Sequence, residues 1–276
     1  MYVAHTGADR VEVVDCSKRE FLHSIDDLKG VAGVLVDSQR DLLMTSDRGA
    51  ARVSIFRCSD EGLLGQVEVG PHPNGLAYDH KRHRLFSFNL GEPLGESCTA
   101  SVVDVDSLTV AEELPLPGRP RWAAYDEASD LIYLNIREPA LILRIDPEKA
   151  MIESAIEVPI EGPHGLWVDG TRLYCAADGG ALLVIDCDDG QTLAMLELPG
   201  SPDVVWHNPR DHELYIAVGD PGSVTLVDTA TLDLVETITT EPGAHTLAWD
   251  PVGETLYVFC PASGGAALYT RQDAGS

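Results

Sequence analysis

The sequence predicts an all-β protein, a seven-bladed β-propeller with an incomplete closing seam. Three observations support this fold class: short strand-like segments recur along the whole chain, the recurring unit is regular in length, and its strands can be counted by type.

The clearest copy of the repeat spans residues 162–199. It contains four runs with strand chemistry, HGLWVD, RLYCAA, ALLVID and TLAMLEL, separated by DG, DGG and DDG. The glycines supply the positive φ angles that tight hairpins need, so the unit is expected to be a four-stranded antiparallel meander. Because its runs are apolar on both faces, the unit must stack on further copies of itself.

Six first strands share an anchor position, five residues before the acidic or Asn residue that closes the strand. The anchors are Ala32, Asn74, Arg121, His164, Asp203 and His245. By subtraction their spacings are 42, 47, 43, 39 and 42 residues, close to the period of about 40–45 residues typical of propeller blades. Trp122, Trp167, Trp206 and Trp249 also occupy first strands, where packing between blades is expected.

The two ends of the chain decide the number of blades. Residues 1–28 match the repeat only from its second strand onward, and residues 245–270 stop after the third strand, before the polar tail 271–276. In a six-bladed propeller, the N-terminal and C-terminal hairpins would both have to occupy the same blade position, so seven blades are predicted. We predict a single domain over 1–276, with a partial blade 1 at 1–28, blades 2–6 at 29–241 and a partial blade 7 at 242–272. We also expect the natural chain to start about 20–25 residues upstream, unless the seam is simply short of strands.

The net charge of −26, from 45 acidic and 19 basic residues, disfavours nucleic acid and anionic membranes as partners. Much of the acid falls in the turn after a third strand, where Asp is expected to accept hydrogen bonds from backbone amides; these residues are Asp15, Asp104, Asp146, Asp186 and Asp228.

No run reaches the length of a membrane-spanning helix, and no signal peptide is evident. We therefore expect a soluble, monomeric, cytoplasmic protein, although an upstream start or a missing signal peptide would change the compartment. The six cysteines form no C-x-x-C pair and are expected to be reduced thiols.

Several second strands resemble those of a known group of propellers. MYVAH, LYIAV and LYVFC, each followed by a third strand such as VTLVD, resemble the YVTN-repeat β-propellers, the group that includes YncE-like proteins. The resemblance spans the chain and implies the same fold. Because members of that group are surface-layer modules, binding proteins and enzymes, it does not imply one function.

The anchors are expected to line the mouth of the central channel, because the start of strand one and the end of strand two lie at the same end of a blade. Candidate ligand-binding residues there are Asn74, Arg121 and Asp203 from first strands, and His5 and Asn89 from second strands. His164 and His245 flank Asp203, a combination suited to a divalent metal or to proton transfer. Arg121 instead favours an anion, and a third possibility is that these side chains only line a wet channel.

The segment from Pro163 to Asp178 is also similar to the final blade of streptogramin B lyases. That resemblance implies Mg²⁺-dependent chemistry in which His164 and Asp178 are catalytic, and His245 is added as a further catalytic candidate from the same rim. The leading interpretation is a propeller that binds a small molecule or a protein partner in its funnel. The alternative is a metal-dependent lyase or hydrolase, so whether the protein is an enzyme stays open; the cofactor is unknown, with a divalent metal such as Mg²⁺ as the candidate, and no metal ligands are assigned.

Overall fold

The structure is a computed structural model that describes residues 1–270. Within these residues the chain is all-β, with 26 strands in seven antiparallel sheets and two short 3-10 helices, Thr6–Ala8 and Arg48–Ala50. No helix in this span is both long and apolar enough to cross a bilayer. The predicted polar tail, 271–276, and the last two residues of predicted blade 7 lie outside the described residues.

The predicted fold class, a seven-bladed β-propeller, is confirmed. Five sheets have four strands and two have three, and every sheet is a meander whose neighbours in sequence are also neighbours in the sheet. The first sheet contains the second to fourth strands of the repeat and the last contains the first to third. This is the strand count that the repeat pattern predicts.

The chain divides into two compact units, 1–156 and 157–276. The first unit contains blades 1 to 4, and the last strand of blade 4 ends at the first residue of the second unit. Its strands are β1 (Tyr2–His5), β2 (Arg10–Asp15), β3 (Glu20–Ile25), β4 (Val31–Asp37), β5 (Leu42–Asp47), β6 (Arg52–Arg57), β7 (Leu63–Glu68), β8 (Pro73–Asp79), β9 (Arg84–Asn89), β10 (Thr99–Asp104), β11 (Thr109–Pro115), β12 (Pro120–Asp126), β13 (Leu131–Ile136), β14 (Leu141–Asp146) and β15 (Met151–Glu157).

The second unit contains blades 5 to 7. Its strands are β16 (Pro163–Asp169), β17 (Arg172–Ala177), β18 (Ala181–Asp186), β19 (Thr192–Glu197), β20 (Ser201–Asn208), β21 (Glu213–Asp220), β22 (Ser223–Asp228), β23 (Leu234–Thr239), β24 (Thr246–Asp250), β25 (Thr255–Cys260) and β26 (Gly265–Thr270).

Apolar layers between neighbouring blades form the core of each unit. In the first unit, Phe86, Phe88 and Ile132 belong to one cluster that joins blades 3 and 4. In the second unit, Tyr174 and Ile216 belong to a cluster that joins blades 5 and 6. In the five four-stranded blades the second and third strands are largely buried on both faces, which is why their sequences are nearly continuous apolar runs rather than strict alternations.

The aspartates predicted to cap turns do so. Asp104 accepts a hydrogen bond from the amide of Ser107 at 2.8 Å, and Asp228 accepts from the amides of Ala230 and Thr231 at 2.7 and 2.9 Å; Asp15, Asp146 and Asp186 accept from turn amides in the same way. These backbone hydrogen bonds lower the pKa of Asp104 and of Asp228. These five carboxylates are therefore accounted for by their turns.

Three of the four tryptophans pack between blades as predicted. The rings of Trp167 and Trp206 lie 5.7 Å apart, and Trp249 stacks on Tyr215 at 5.3 Å. Trp122 differs, because it is 37% exposed. It lies where the pairing of β12 with β13 shifts register, between Pro120 and Ala123, and so leaves the regular ladder.

Candidate functional site

The anchor residues of five first strands lie at β-bulges. In the second unit, the pairing of β16 with β17 passes from Pro163 to Gly165 and leaves out His164, and the pairing of β20 with β21 leaves out Asp203. In the first unit, the same irregularity contains Ala32, Asn74 and Arg121. A bulge releases one residue from the ladder and redirects its side chain, and bulges are frequent beside active sites for that reason.

A glycine after the anchor lets neighbouring bulges approach closely. An ideal Cβ on Gly165 would lie 2.0 Å from the backbone oxygen of Asp203, a separation that no side chain can occupy. Gly75 has the same relation to Arg121, with a Cβ position 2.5 Å from its backbone oxygen. Glycine is therefore required at these positions by close backbone approach.

In the second unit, the imidazole of His164 lies between two carboxylates. Its Nδ1 is 2.9 Å from Oδ1 of Asp178, and its Nε2 is 3.1 Å from Oδ1 of Asp203. All three side chains are largely buried, with 17% of His164, 17% of Asp178 and 26% of Asp203 exposed. The bulge and Gly165 thus hold a histidine and two aspartates together in a sheltered position.

His245, just before β24, extends this arrangement. Its Nδ1 is 3.0 Å from Oδ2 of Asp203, so one carboxylate bridges the two histidines. The hydrogen bond to Asp203 raises the pKa of His245. The His245 side chain is 56% exposed, and its Nε2 has no partner within residues 1–270.

Asp178 follows β17 directly and is fixed from both sides. Its amide donates to the carbonyl of Gly162 at 2.8 Å, and Ser201 Oγ donates to its Oδ1 at 3.3 Å. Ser201 was not predicted from the sequence. The available signal was its place two residues before the anchor Asp203, because that spacing brings it to the same end of the blade.

We call Asp178, His164, Asp203 and His245 the His–Asp cluster. Carboxylates only accept hydrogen bonds, so His164 satisfies both of its contacts when both ring nitrogens carry protons. Acceptors and donors then alternate from Asp178 to His245. Such a chain suits proton transfer, and it also holds Nε2 of His245 in place as a donor at the exposed end.

The His–Asp cluster does not have the arrangement of a metal site. Within residues 1–270, no group of three or more His, Cys, Asp or Glu side chains is arranged to hold a metal ion. Each nitrogen of His164 faces a carboxylate oxygen at hydrogen-bond distance, so its lone pairs and those oxygens do not point to a shared empty position. The geometry therefore does not favour the metal-dependent lyase or hydrolase.

The candidate ligand residues of the first unit have different surroundings. Asn74 accepts a hydrogen bond from Arg48, and Arg121 is half-buried at the start of β12. His5 is exposed at the end of β1, with its Nδ1 3.0 Å from Oε1 of Glu12.

Asn89 is buried at the end of β9. Its Nδ2 donates to the hydroxyls of Thr99 and Ser101 at 3.0 and 2.9 Å, and its Oδ1 accepts from Ser87 at 3.1 Å. These bonds join the second and third strands of blade 3, and that is the contribution of Asn89 in the structure. A ligand-binding role for Asn89 stays a prediction.

Part of the chain is similar to the protein YncE. Two relatives, each described as uncharacterized protein YncE, from Salmonella typhi and Salmonella typhimurium, are 35% identical to the chain over 77 residues. The match covers 28% of this chain and only 22% of each relative. It confirms the predicted resemblance to YncE-like propellers, whereas the resemblance to streptogramin B lyases stays a prediction. No family model matches the chain.

Solved structures share the fold across nearly the whole chain. Hydrazine synthase of Kuenenia stuttgartiensis matches with a TM-score of 0.87 and 13% identity, covering 98% of this chain and 92% of that one. A functionally unknown protein from Desulfotomaculum acetoxidans matches with a TM-score of 0.84 and 12% identity, covering 98% and 91%. A chain of the mitotic checkpoint complex matches with a TM-score of 0.80 and 13% identity, covering 96% and 82%. At such identities these likenesses concern the fold alone.

Proposed function

We propose that this propeller is a binding protein for a small polar molecule, and that the ligand accepts a hydrogen bond from Nε2 of His245. The observation that carries the proposal is the bridging carboxylate of Asp203, which contacts both histidines at 3.0–3.1 Å. That carboxylate fixes the His245 ring through Nδ1 and leaves the opposite nitrogen at the exposed edge.

Stability alone is a poor explanation for the His–Asp cluster. A partly exposed ion pair contributes only about 0–1 kcal/mol, so the contacts of the His–Asp cluster add little to the free energy of unfolding. The backbone does not require these side chains either, since the same bulge and glycine hold Ala32 in blade 2. A fixed donor also binds a ligand at a lower entropic cost than a freely rotating one.

The charge on His245 points to a carboxylate or similar oxygen as the group that binds. Because Asp203 raises its pKa, His245 keeps its proton to a higher pH than an ordinary histidine. A protonated imidazole donates a charge-assisted hydrogen bond, which is stronger than a neutral one. A protein partner with an exposed acidic group would meet the same donor, and that wider possibility stays a prediction.

The test is a titration of the intact protein, labelled with ¹⁵N-histidine, with acetate and with neutral acetamide at constant ionic strength. We expect the Nε2 signal of His245 to shift saturably with acetate, more strongly at pH 6 than at pH 8. The ring of His80, which pairs with Glu127 in the first unit, serves as the internal control for non-specific salt effects. The variant Asp203→Asn is expected to weaken the shift, because residue 203 loses its negative charge and keeps only one of the two acceptor oxygens that contact His164 and His245.

A His245 signal that changes only in parallel with His80 would refute the proposal. An equal, saturable response in wild type and in Asp203→Asn would also count against it, since the bridging carboxylate would then have no part in binding.

A further inference from the structure

Three arginines of the first unit lie near the bulge that contains Asn74. Arg48 begins the 3-10 helix after β5, and Arg119 and Arg121 stand on either side of Pro120 at the start of β12. Asn74, in the bulge of β8, accepts a hydrogen bond from Nη2 of Arg48, and the residue after it, Gly75, approaches the backbone of Arg121. We call Arg48, Arg119 and Arg121 the arginine cluster; all three are half-buried.

Two members of the arginine cluster lack compensation for their charge within residues 1–270. The Nε atoms of Arg48 and Arg119 are buried without a hydrogen-bond partner, and neither guanidinium forms a salt bridge to a carboxylate in this span. Other partly buried arginines of the same unit are paired: Arg52 with Asp47 at 2.9 Å and Arg82 with Asp130 at 2.6 Å. In a chain with 45 acidic residues, two uncompensated arginines in one place are an exception.

The arrangement costs free energy in the absence of an anion. Burial, and after it the nearby charge of Arg119, lower the pKa of Arg48. An arginine nonetheless keeps its proton at any physiological pH, so the cost of crowding two charges is not relieved by deprotonation. Burying a charge without an opposite charge is unfavourable, and groups perturbed in this way cluster at functional sites.

The one ionisable thiol beside the cluster does not supply the missing negative charge. The charge of Arg119 acts on Cys98, but burial outweighs it and raises the pKa of the Cys98 thiol. The Sγ of Cys98 is also committed to the carbonyl of Leu90 at 3.3 Å. The thiol is therefore neutral, so it leaves the positive charge of the cluster available to an external anion.

We infer that the arginine cluster is a binding site for a small oxyanion of the phosphate or carboxylate type. A planar guanidinium donates two parallel hydrogen bonds to such groups. Because it stays protonated at physiological pH, it also attracts the anion over the whole of that range. Asn74 orients Arg48 through its side-chain oxygen, as a supporting residue does in a preorganised site. This inference does not depend on the His–Asp cluster.

Isothermal titration of the intact protein with inorganic phosphate, and separately with malonate, tests it at low ionic strength with sodium chloride as the reference ion. We expect saturable binding of at least one probe. Arg119→Gln and Arg48→Gln should each weaken binding by about tenfold or more, since each removes one charged hydrogen-bonding group. The matched control is Arg57→Gln, which makes the same charge change in the same unit at an exposed arginine paired with Asp60 at 2.5 Å; its affinity should equal that of wild type.

Thermal unfolding without added anion separates binding from a structural role. Removing one of two crowded like charges should leave the melting temperature of Arg119→Gln equal to or above that of wild type. The inference fails if wild type binds neither probe, if Arg57→Gln weakens binding as much as Arg119→Gln, or if Arg119→Gln lowers the melting temperature while leaving the affinity unchanged. Asp203→Asn, which tests the His–Asp cluster, should not alter phosphate or malonate binding here.

Discussion

Replacing Gly165 with alanine tests whether close backbone approach builds the His–Asp cluster. The added Cβ would lie 2.0 Å from the backbone oxygen of Asp203 and 2.8 Å from Cγ2 of Val205. Non-bonded heavy atoms prefer a separation of roughly 3.5–4.0 Å, so β16 and β20 would have to separate by about 1.5 Å at this point. The obstacle is a backbone carbonyl within a strand, which cannot rotate away as the end of a side chain can.

The magnitude follows from the size of that displacement. Overpacking a filled site costs about 1–3 kcal/mol, and a contact this short belongs at the upper end of the range or beyond it. For a chain of this size, about 3 kcal/mol corresponds to a fall in melting temperature of roughly 6–12 °C. Because Asp203 carries the contact to both histidines, we also expect the pKa of His245 to fall towards its ordinary value.

Thermal unfolding followed by circular dichroism, together with a histidine titration by NMR, gives both readouts. Gly265→Ala is the matched control, because Gly265 also lies in a strand of the second unit and an added Cβ there would meet nothing within 4 Å. We expect the control to keep or slightly raise the melting temperature. The reasoning is refuted if the two variants melt together, or if Gly165→Ala melts early while His245 titrates as in wild type.

Two further predictions concern titratable groups. Because Asp203 raises the pKa of His245, folding gains stability that is complete below about pH 6.5, the ordinary histidine pKa, and declines as the pH rises through the raised value. Melting temperatures measured from pH 5 to 9 should show this decline, and Asp203→Asn should flatten it; an unchanged profile in the variant would contradict the assignment. Burial raises the pKa of Tyr78 to about 12, and its buried hydroxyl has no hydrogen-bond partner within residues 1–270. Tyr78→Phe should therefore raise the free energy of unfolding by about 1 kcal/mol or more, measured by urea denaturation, and a loss of stability would show that the hydroxyl contributes a favourable contact.

The fold was predictable because every copy of the repeat carries the same pattern of strands and turns. Four short apolar runs with glycine or aspartate turns recur at a nearly constant period, and each copy needs a neighbour to bury its faces. Counting the strands by type gave the three-stranded first and last sheets that the structure contains. The division at residues 156 and 157 was not predictable, because no linker composition marks it and β15 continues across it.

The candidate site was predictable only in part. The anchor position identified His164, Asp203 and His245, since residues at one repeat position come to the same end of their blades. The sequence did not reveal Arg48 or Arg119, because both lie in turns outside the strand pattern and their proximity depends on how neighbouring bulges pack. Asn89 also holds a repeat position at a strand end, and the hydroxyls of Thr99 and Ser101 on the adjacent strand engage its amide; a ligand-binding role for it stays a prediction.

The fold determines where the anchor residues lie, but it does not determine which side chains they carry. Blades 2, 3 and 5 share one backbone device, a bulge at the anchor followed by a glycine against the next anchor's backbone. The device fixes where the anchor lies and leaves its identity free, so Asn74 supports arginines in the first unit while His164 lies between carboxylates in the second. Solved structures at 12–13% identity accordingly share this fold with TM-scores of 0.84–0.87, and a shared fold leaves the chemistry of a site undetermined. On the proposed function, we expect substitutions at the bulge and turn residues to change binding with little effect on the fold, whereas substitutions at the following glycines should change both.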